Sequence, residues 1–388
     1  MDSAKPSLEL VRSVTDERVL RALIRHRRLT RAELAGEIGI SKPTAGESVR
    51  RLAERGLVAD TGERTPGGRG RGRVGFYYAL APAVGAALAV TITPEGVVAE
   101  RLDVYGDTVA RATRRIDRPA RPDRVAAALH EVATELAGAG SEGADPGAAG
   151  GGAQADRAGS DGQPVRVAVV SAADPVDRAT GRLVHLPDSP FLVGDLDPVA
   201  VLAPFVTGPV VVDNDVNWAA LAERDSAPDL RDFAYLYLGE GLGCAIVNDG
   251  EIRRGRTGLT GEVAHVFTPG PDGRAVRFIE LFAELGLRHP DSTAIDVDRL
   301  LRRTQTHRAL GVAAGGVIAA LIALADPQEV VVGGSWGPAL LPEIVAAATW
   351  APREVTVRAP GPAADPVLAG VRTAAIDHLR ETVARTPA

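Results

Sequence analysis

Thr30-Arg31-Ala32-Glu33 fixes a helix start more firmly than any other stretch of this chain. The threonine hydroxyl can accept from the amide three residues on, and the glutamate can reach back to the threonine amide, so two orphan donors are satisfied together. The helix it opens, Arg31 to Glu37, turns Leu34 and Ile38 inward and is broken at Gly39. Ser41 caps a further helix with Pro43 in its first turn; this helix runs to about Arg55 and stops at Gly56. Ahead of the pair, Val19, Leu20, Leu23 and Ile24 recur at helical spacing within Asp16 to Arg27. Short helices joined by a glycine turn form a helix-turn-helix. Leu57–Thr61 and Val74–Leu80 read as strands around the loop Gly62–Arg73, whose tip carries Arg69, Arg71 and Arg73. A helix-turn-helix followed by a hairpin with a basic tip is a winged helix.

In such a fold the third helix enters the major groove, and its N-terminal residues meet base edges. The candidates here are Ser41, Lys42, Pro43, Thr44, Glu47, Ser48 and Arg51. Ser41 and Thr44 have a second reading, as caps that commit their hydroxyls to the helix itself. Gly46 costs about 1 kcal/mol relative to alanine inside a helix, and it leaves room for a close approach to the duplex. Arg69, Arg71 and Arg73 suit a minor groove or its flanking phosphates, where the negative potential favours guanidinium. Residues 1–80 hold 16 Lys and Arg against 10 Asp and Glu, whereas the rest of the chain holds 28 against 40. A basic head on an acidic body implies double-stranded DNA as the partner of the head alone. Helix-turn-helix proteins read paired half-sites as symmetric dimers, so a homodimer or homotetramer is expected.

A length of 388 residues points to two or three domains. Gly85–Ile92, Gly96–Leu102 and Asp107–Arg114 read as a meander, followed by a helix at Pro122–Ala137. Residues 138–163 are almost all Gly, Ala, Ser, Asp and Gln; they cannot bury apolar surface and are expected to be disordered. Strands resume at Val165–Val170, Val210–Val212, Ala234–Leu238 and Cys244–Val247, and the helix Gly311–Leu324 leads into a strand at Glu329–Val332. Cys244 is the only cysteine, which excludes an intrachain disulfide and a thiolate zinc cage. Met1–Leu10 has no apolar segment of the kind a secretory signal needs. The longest apolar stretch, Gly311–Ala325, is short and glycine-rich for a bilayer span. The expected setting is cytoplasmic, with no membrane partner.

Past the head, several landmarks follow in order. They are Asp213-Asn214-Asp215-Val216-Asn217, Gly239-Glu240-Gly241-Leu242-Gly243, Gly261-Glu262-Val263-Ala264-His265 and Phe278-Ile279-Glu280. Pro327-Gln328-Glu329 and Val330-Val331-Val332-Gly333-Gly334 close the set. Together they resemble the ROK family (repressors, open reading frames and sugar kinases), specifically its transcriptional-regulator branch, over about residues 16–350. The resemblance implies an α/β chain with a winged helix-turn-helix at 1–81 and a two-lobed, actin-like (ribonuclease H-like) ROK domain, with lobes at 82–205 and 206–388. It also implies a cleft that binds a sugar through Asn214, Asp215, Glu262, His265 and Glu280. Vicinal hydroxyls need paired donors and acceptors, which these side chains supply. Asp215 matches the base that deprotonates the attacking hydroxyl in kinase members. Each of these residues also has a structural reading, as a helix cap or an internal polar group.

Kinase members of the family open this domain with a strand ending Asp-x-Gly-Gly-Thr, which organises magnesium and admits phosphates. Here the segment is Thr91-Ile92-Thr93-Pro94-Glu95, with no aspartate, no glycine, and a proline that removes an amide. In the second phosphate loop Glu240 stands where the kinase pattern has threonine. A carboxylate repels a like charge by about 1 kcal/mol at about 4 Å in water, and by more in a cleft. The family's zinc-binding cysteine run corresponds to Gly270–Arg277, which has no cysteine and leaves His265 alone, so no metal and no cofactor are expected. The implied function is a DNA-binding transcriptional regulator, a repressor, whose kinase-like body senses a carbohydrate effector and has no catalytic residue. Two other readings stand beside it: an active ATP-dependent sugar kinase, and a regulator whose ligand-free body serves only for dimerisation.

Overall fold

The structure is a computed structural model describing residues 8–65, 75–138, 163–186, 191, 195–348 and 353–385, with side chains from residue 12 onward. Arg69, Arg71 and Arg73 lie outside the described residues, as does the expected disordered insert apart from its two ends. The head comprises α1 (Leu8–His26), β1 (Arg28–Thr30), α2 (Arg31–Ile38), α3 (Lys42–Glu54), β2 (Val58–Arg64) and β3 (Phe76–Leu80). The capping box forms: the Glu33 amide donates to Thr30 Oγ1 at 3.2 Å, and the Thr30 amide donates to Glu33 Oε2 at 2.8 Å. Gly39 ends α2 in the left-handed region. Strand β1, which the sequence pattern did not announce, pairs with β3, so the wing is a three-stranded sheet of order β1-β3-β2.

The body contains two sheets of the same design. The first is built from β4 (Ala86–Thr93), β5 (Gly96–Leu102), β6 (Thr108–Arg115), β7 (Val165–Ala172) and β8 (Val210–Asn214), in the order β6-β5-β4-β7-β8. On it lie α4 (Pro122–Gly138) and α5 (Pro198–Leu202), with α6 (Asp215–Ser226) leading away from β8. The second is built from β9 (Phe233–Leu238), β10 (Leu242–Asn248), β11 (Glu251–Ile252), and later β14 (Glu329–Gly333) and β15 (Thr356–Arg358). Its order is β11-β10-β9-β14-β15. In each sheet three strands form an antiparallel meander and two more join in parallel on the far side of the first. This duplicated pattern is the actin-like body that the sequence led one to expect.

Between the strands of the second sheet come β12 (Phe267–Pro269), β13 (Ala275–Arg277), α7 (Phe278–Glu284), α8 (Val297–Arg302) and α9 (His307–Ala325); α10 (Leu341–Ala347) precedes β15, and α11 (Pro366–Ala384) follows it. With the turn before it, α9 spans Thr304–Ala325, which is long and apolar enough by length and composition to cross a membrane, contrary to the estimate from Gly311–Ala325 alone. Half of that window is buried, and Leu310, Ala314, Val317, Ile318 and Leu321 pack in the second lobe's core with Phe282 and Trp336. It is a core helix here.

The expected division at residue 205/206 does not follow the path of the chain. Strand β8 completes the first sheet, and α11 returns to lie on β4 and β7. Apolar residues of α11 share a cluster with the first sheet and with α1 of the head. Against α6 the approach is tight: a Cβ on Gly370 would lie 1.9 Å from the Trp218 carbonyl oxygen. Overpacking of this kind costs about 1–3 kcal/mol or more. Gly370→Val is therefore expected to lower the thermal midpoint of the whole chain by several degrees; an unchanged midpoint in calorimetry would show that α6 and α11 can separate freely.

Candidate functional site

At the tip of α3, Ser41, Lys42, Pro43 and Thr44 are all exposed. The Ser41 hydroxyl accepts from the Thr44 amide at 3.2 Å and lies 2.7 Å from the Thr44 hydroxyl, so Ser41 caps the helix with Thr44 as its partner, and both stay open to solvent. Glu47 is exposed and paired with Arg50 at 2.6 Å. Ser48 is a correction. The buried positions of α3 are Ala45, Ser48, Val49 and Leu52, one helical stripe, and the Ser48 hydroxyl donates to Asp16 inside the head. Arg51 grips the same carboxylate twice, Nη2 at 2.6 Å and Nε at 3.2 Å. Asp16 is 4% exposed, so both residues hold α3 against α1; Ser48 is fully buried and presents no side chain to a duplex, while Arg51 stays partly exposed. Three arginines that no motif singled out stack on the aromatic run of β3. Arg28, Arg31 and Arg64 sit over Tyr77, Tyr78 and Phe76 at 5.2, 5.0 and 5.0 Å. The run Phe76-Tyr77-Tyr78 in an arginine-rich head was the available signal.

The head is tied to the first lobe where β5 turns into β6. Arg27 pairs with Asp107 at 2.5 and 3.0 Å, and the Tyr105 hydroxyl donates to the Arg27 carbonyl at 3.2 Å. The Arg27 guanidinium holds the Asp107 carboxyl below the usual carboxylate range. Arg380 of α11 donates to the Val104 and Tyr105 carbonyls, fixing the same turn.

In the body, a cavity of about 80 Å³ opens between the lobes, where β8 runs into α6. Asn214, Asp215, Glu262 and His265 line it, as the sequence led one to expect. Asn214 caps α6, accepting from the Val216 amide at 3.0 Å while its own amide donates to the Asp174 carbonyl at 3.3 Å. Glu262 follows Gly261, whose φ of 97° and whose approach to the Cys244 carbonyl, 1.7 Å from a would-be Cβ, leave room for no side chain. Glu280 is not brought in. It pairs with Arg277 at 3.0 Å, and its neighbour Ile279 faces the cavity. His265 is carried just ahead of a β12–β13 hairpin, closed by an Asp272–Arg274 pair and anchored to α9 by Thr268 donating to the Ala313 carbonyl at 2.6 Å. That hairpin occupies the cysteine-free stretch, and no group of metal-ligating side chains occurs among the described residues.

One residue escaped the sequence reading here. Asp174, 5% exposed, lies close enough to raise both Asp215 and Glu262. Burial first, then the charges of Asp174 and Glu262, push Asp215 up to about 7. Burial, then Asp174, push Glu262 up to about 7 as well. The lobes are stitched beside this cavity: Arg254 Nε donates to Asp213 at 2.6 Å, and Arg178 Nη1 donates to the Gly255 carbonyl at 3.1 Å.

A second cavity of about 330 Å³ adjoins the first; Thr91, Thr93, Pro94 and Glu95 wall it on one lobe, Glu240 and Ser335 on the other. Across it Arg118, which no motif singled out, donates to Glu240 at 2.6 Å and also pairs with Glu95. The Glu240 hydrogen bond is the main reason the Arg118 pKa is raised.

Comparison with known proteins agrees with this architecture. The model of a winged helix-turn-helix DNA-binding family matches residues 12–59, and the ROK family model matches residues 155–276. The body is a ROK domain, and the head is a winged helix-turn-helix. N-acetylmannosamine kinase of Salmonella typhi is 33% identical over 175 residues, covering 40% of this chain and 56% of that protein. The bifunctional enzyme NanE/NanK of Brucella melitensis biotype 1 is 33% identical over 145 residues, covering 34% of this chain and 27% of that protein. The chain thus spans from about a quarter to just over half the length of these curated relatives. Among solved structures, a ROK family transcriptional regulator, homologous to the E. coli MLC protein, superposes with a TM-score of 0.61 at 17% identity over 97% of this chain and 99% of its own. A ROK glucokinase from Streptomyces griseus, in complex with glucose and AMPPNP, gives 0.53 at 20% identity over 76% of this chain and 100% of its own.

The ROK cavity has a consequence for pH. Asp215 and Glu262 titrate near 7 when folded and near 4 when unfolded, so the folded state binds the extra protons between those values. Their contribution to stability is full below about pH 4 and lost as pH rises through about 7. The thermal midpoint is expected to fall between mildly acidic and mildly alkaline buffer, and Asp215→Asn to remove part of that fall. Parallel pH profiles of parent and variant would contradict the assignment.

Proposed function

We propose that this chain is a transcriptional repressor that binds operator DNA as a homo-oligomer through its winged head. Its ROK body binds a sugar or sugar derivative in the first cavity and does not phosphorylate it. The DNA-facing half is supported by the exposed tip of α3 around Lys42, by the arginines stacked on β3, and by the basic charge of the head. The sensing half is carried by one observation: Glu95 and Glu240, which stand at the two kinase phosphate loops, are both held by Arg118. A phosphate chain there meets two carboxylates and a guanidinium already committed to them, so the cleft keeps its sugar acceptors and loses its anion seat.

A kinase reading has one feature in its favour. Asp215 near 7 is suited to take a proton from a hydroxyl at neutral pH. A base without a seat for the phosphates completes no transfer, so the raised carboxyl is better read as a hydroxyl partner in sugar binding. Asp215→Ala is expected to abolish the response of operator binding to sugar while leaving operator affinity in the absence of sugar unchanged, measured by fluorescence anisotropy. Loss of operator binding itself would contradict the division of labour.

At the head, replacing Arg69 and Arg71 together with alanine is expected to weaken operator binding and to reduce the slope of log K against log salt by roughly 2. An unchanged slope would remove the wing tip from the interface.

A further inference from the structure

We propose that the second cavity is a carbohydrate subsite, taking a further sugar unit joined to the one in the first cavity. The effector is then a non-anionic saccharide of at least two units and not a sugar phosphate. The inference rests on reading the first cavity as the sugar site. Its basis is the continuity of the two spaces: Ala173, Phe191, Asp215, Tyr237 and Gly241 line both. The second cavity, at about 330 Å³, lies within the roughly 300–1,000 Å³ of small-molecule sites, while the first, at about 80 Å³, is a tighter recess, so the second has the room for a further unit. A chain bound in one cavity therefore has a direct way into the other, past Asp215 and Tyr237.

The chemistry of the second cavity selects what enters. Its walls offer the hydroxyls of Thr91, Thr93, Ser171 and Ser335 and the carboxylates of Glu95, Glu240 and Asp365. No Lys, Arg or His lines it among the described residues, and Arg118 beside it is already committed to Glu95 and Glu240. Carboxylates and hydroxyls accept from sugar hydroxyls, while a phosphate would meet like charge with no free cation. The aromatic rings of Phe191 and Tyr237 at the junction provide an apolar surface for the face of a pyranose.

Calorimetric titration of the full chain tests this with named probes. These are glucose, N-acetylglucosamine and N-acetylmannosamine as single units, maltose, cellobiose and chitobiose as pairs, and glucose 6-phosphate. The expected result is a disaccharide that binds about tenfold or more tighter than its own monosaccharide, with the phosphate not bound. Ser335→Trp, at an exposed position on the cavity wall, is expected to erase that gain and leave monosaccharide affinity unchanged; Thr93→Phe, on the opposite wall, is a second block should the first unfold. Monosaccharide binding with no gain from a second unit overturns the subsite and leaves the sugar-sensing reading intact. Tightest binding of glucose 6-phosphate, or equal loss of both sugars in the blocked variants, also overturns it. Binding of none of the sugars removes the first-cavity reading, and the subsite with it.

Discussion

The apolar face of α11 belongs to two domains at once. Val371, Ala374, Ala375, Leu379 and Val383 lie in one cluster with Val19, Leu20 and Leu23 of the head and with Ala87, Ala89, Val167 and Val169 of the first sheet. Burying the valines and leucines among them is worth roughly 1.5–3 kcal/mol each, so the head is not a loosely tethered reader. Its orientation on the body is set by where α11 lies. The helix begins beside the second cavity, at Asp365 and Val367. It presses on α6 at Gly370, and α6 begins with Asp215 in the first cavity. A ligand that moves α6 or the start of α11 acts on the same packed element that holds the head. Such coupling needs different ligand affinity in two arrangements of that element.

Electrostatics divides the cleft into unlike halves. Beside the first cavity the buried Asp174 crowds its lining carboxyls Asp215 and Glu262, and burial keeps the latter two near their protonation midpoint at neutral pH. In the second, Arg118 neutralises two carboxylates from opposite lobes and bridges the cleft. Exposed pairs of this kind contribute little stability, about 0–1 kcal/mol, so the bridge matters more for what it repels than for what it holds together. The Arg254–Asp213 pair sits deeper, and with the exposed Arg178–Gly255 contact it stitches the lobes beside the first cavity.

What was legible in the sequence was local. The capping box, Gly39, Ser41 and Gly56 delimit the head helices because caps and left-handed glycines act within a few residues. The meander strands follow from their apolar runs, and Asn214, Asp215, Glu262 and His265 were found because their spacing resembles a family pattern. What was missed depends on distant chain segments. Ser48 turns inward because its stripe is shared with Ala45, Val49 and Leu52, and its partner Asp16 is 32 residues away. Glu280 stands in a matching motif yet pairs locally with Arg277. Arg118 reaches a residue 122 positions on, Asp174 acquires its role only when two lobes meet, and α11 crosses back to a lobe the chain had left. No window of sequence contains such contacts.

The account stands on the loss of the anion seat while the sugar acceptors remain. Calorimetric titration of Mg-ATP into the full chain already saturated with a bound sugar tests it most directly. The account predicts no heat of binding up to millimolar nucleotide and no phosphorylated sugar in the cell afterwards. Micromolar binding of Mg-ATP with release of ADP would contradict it.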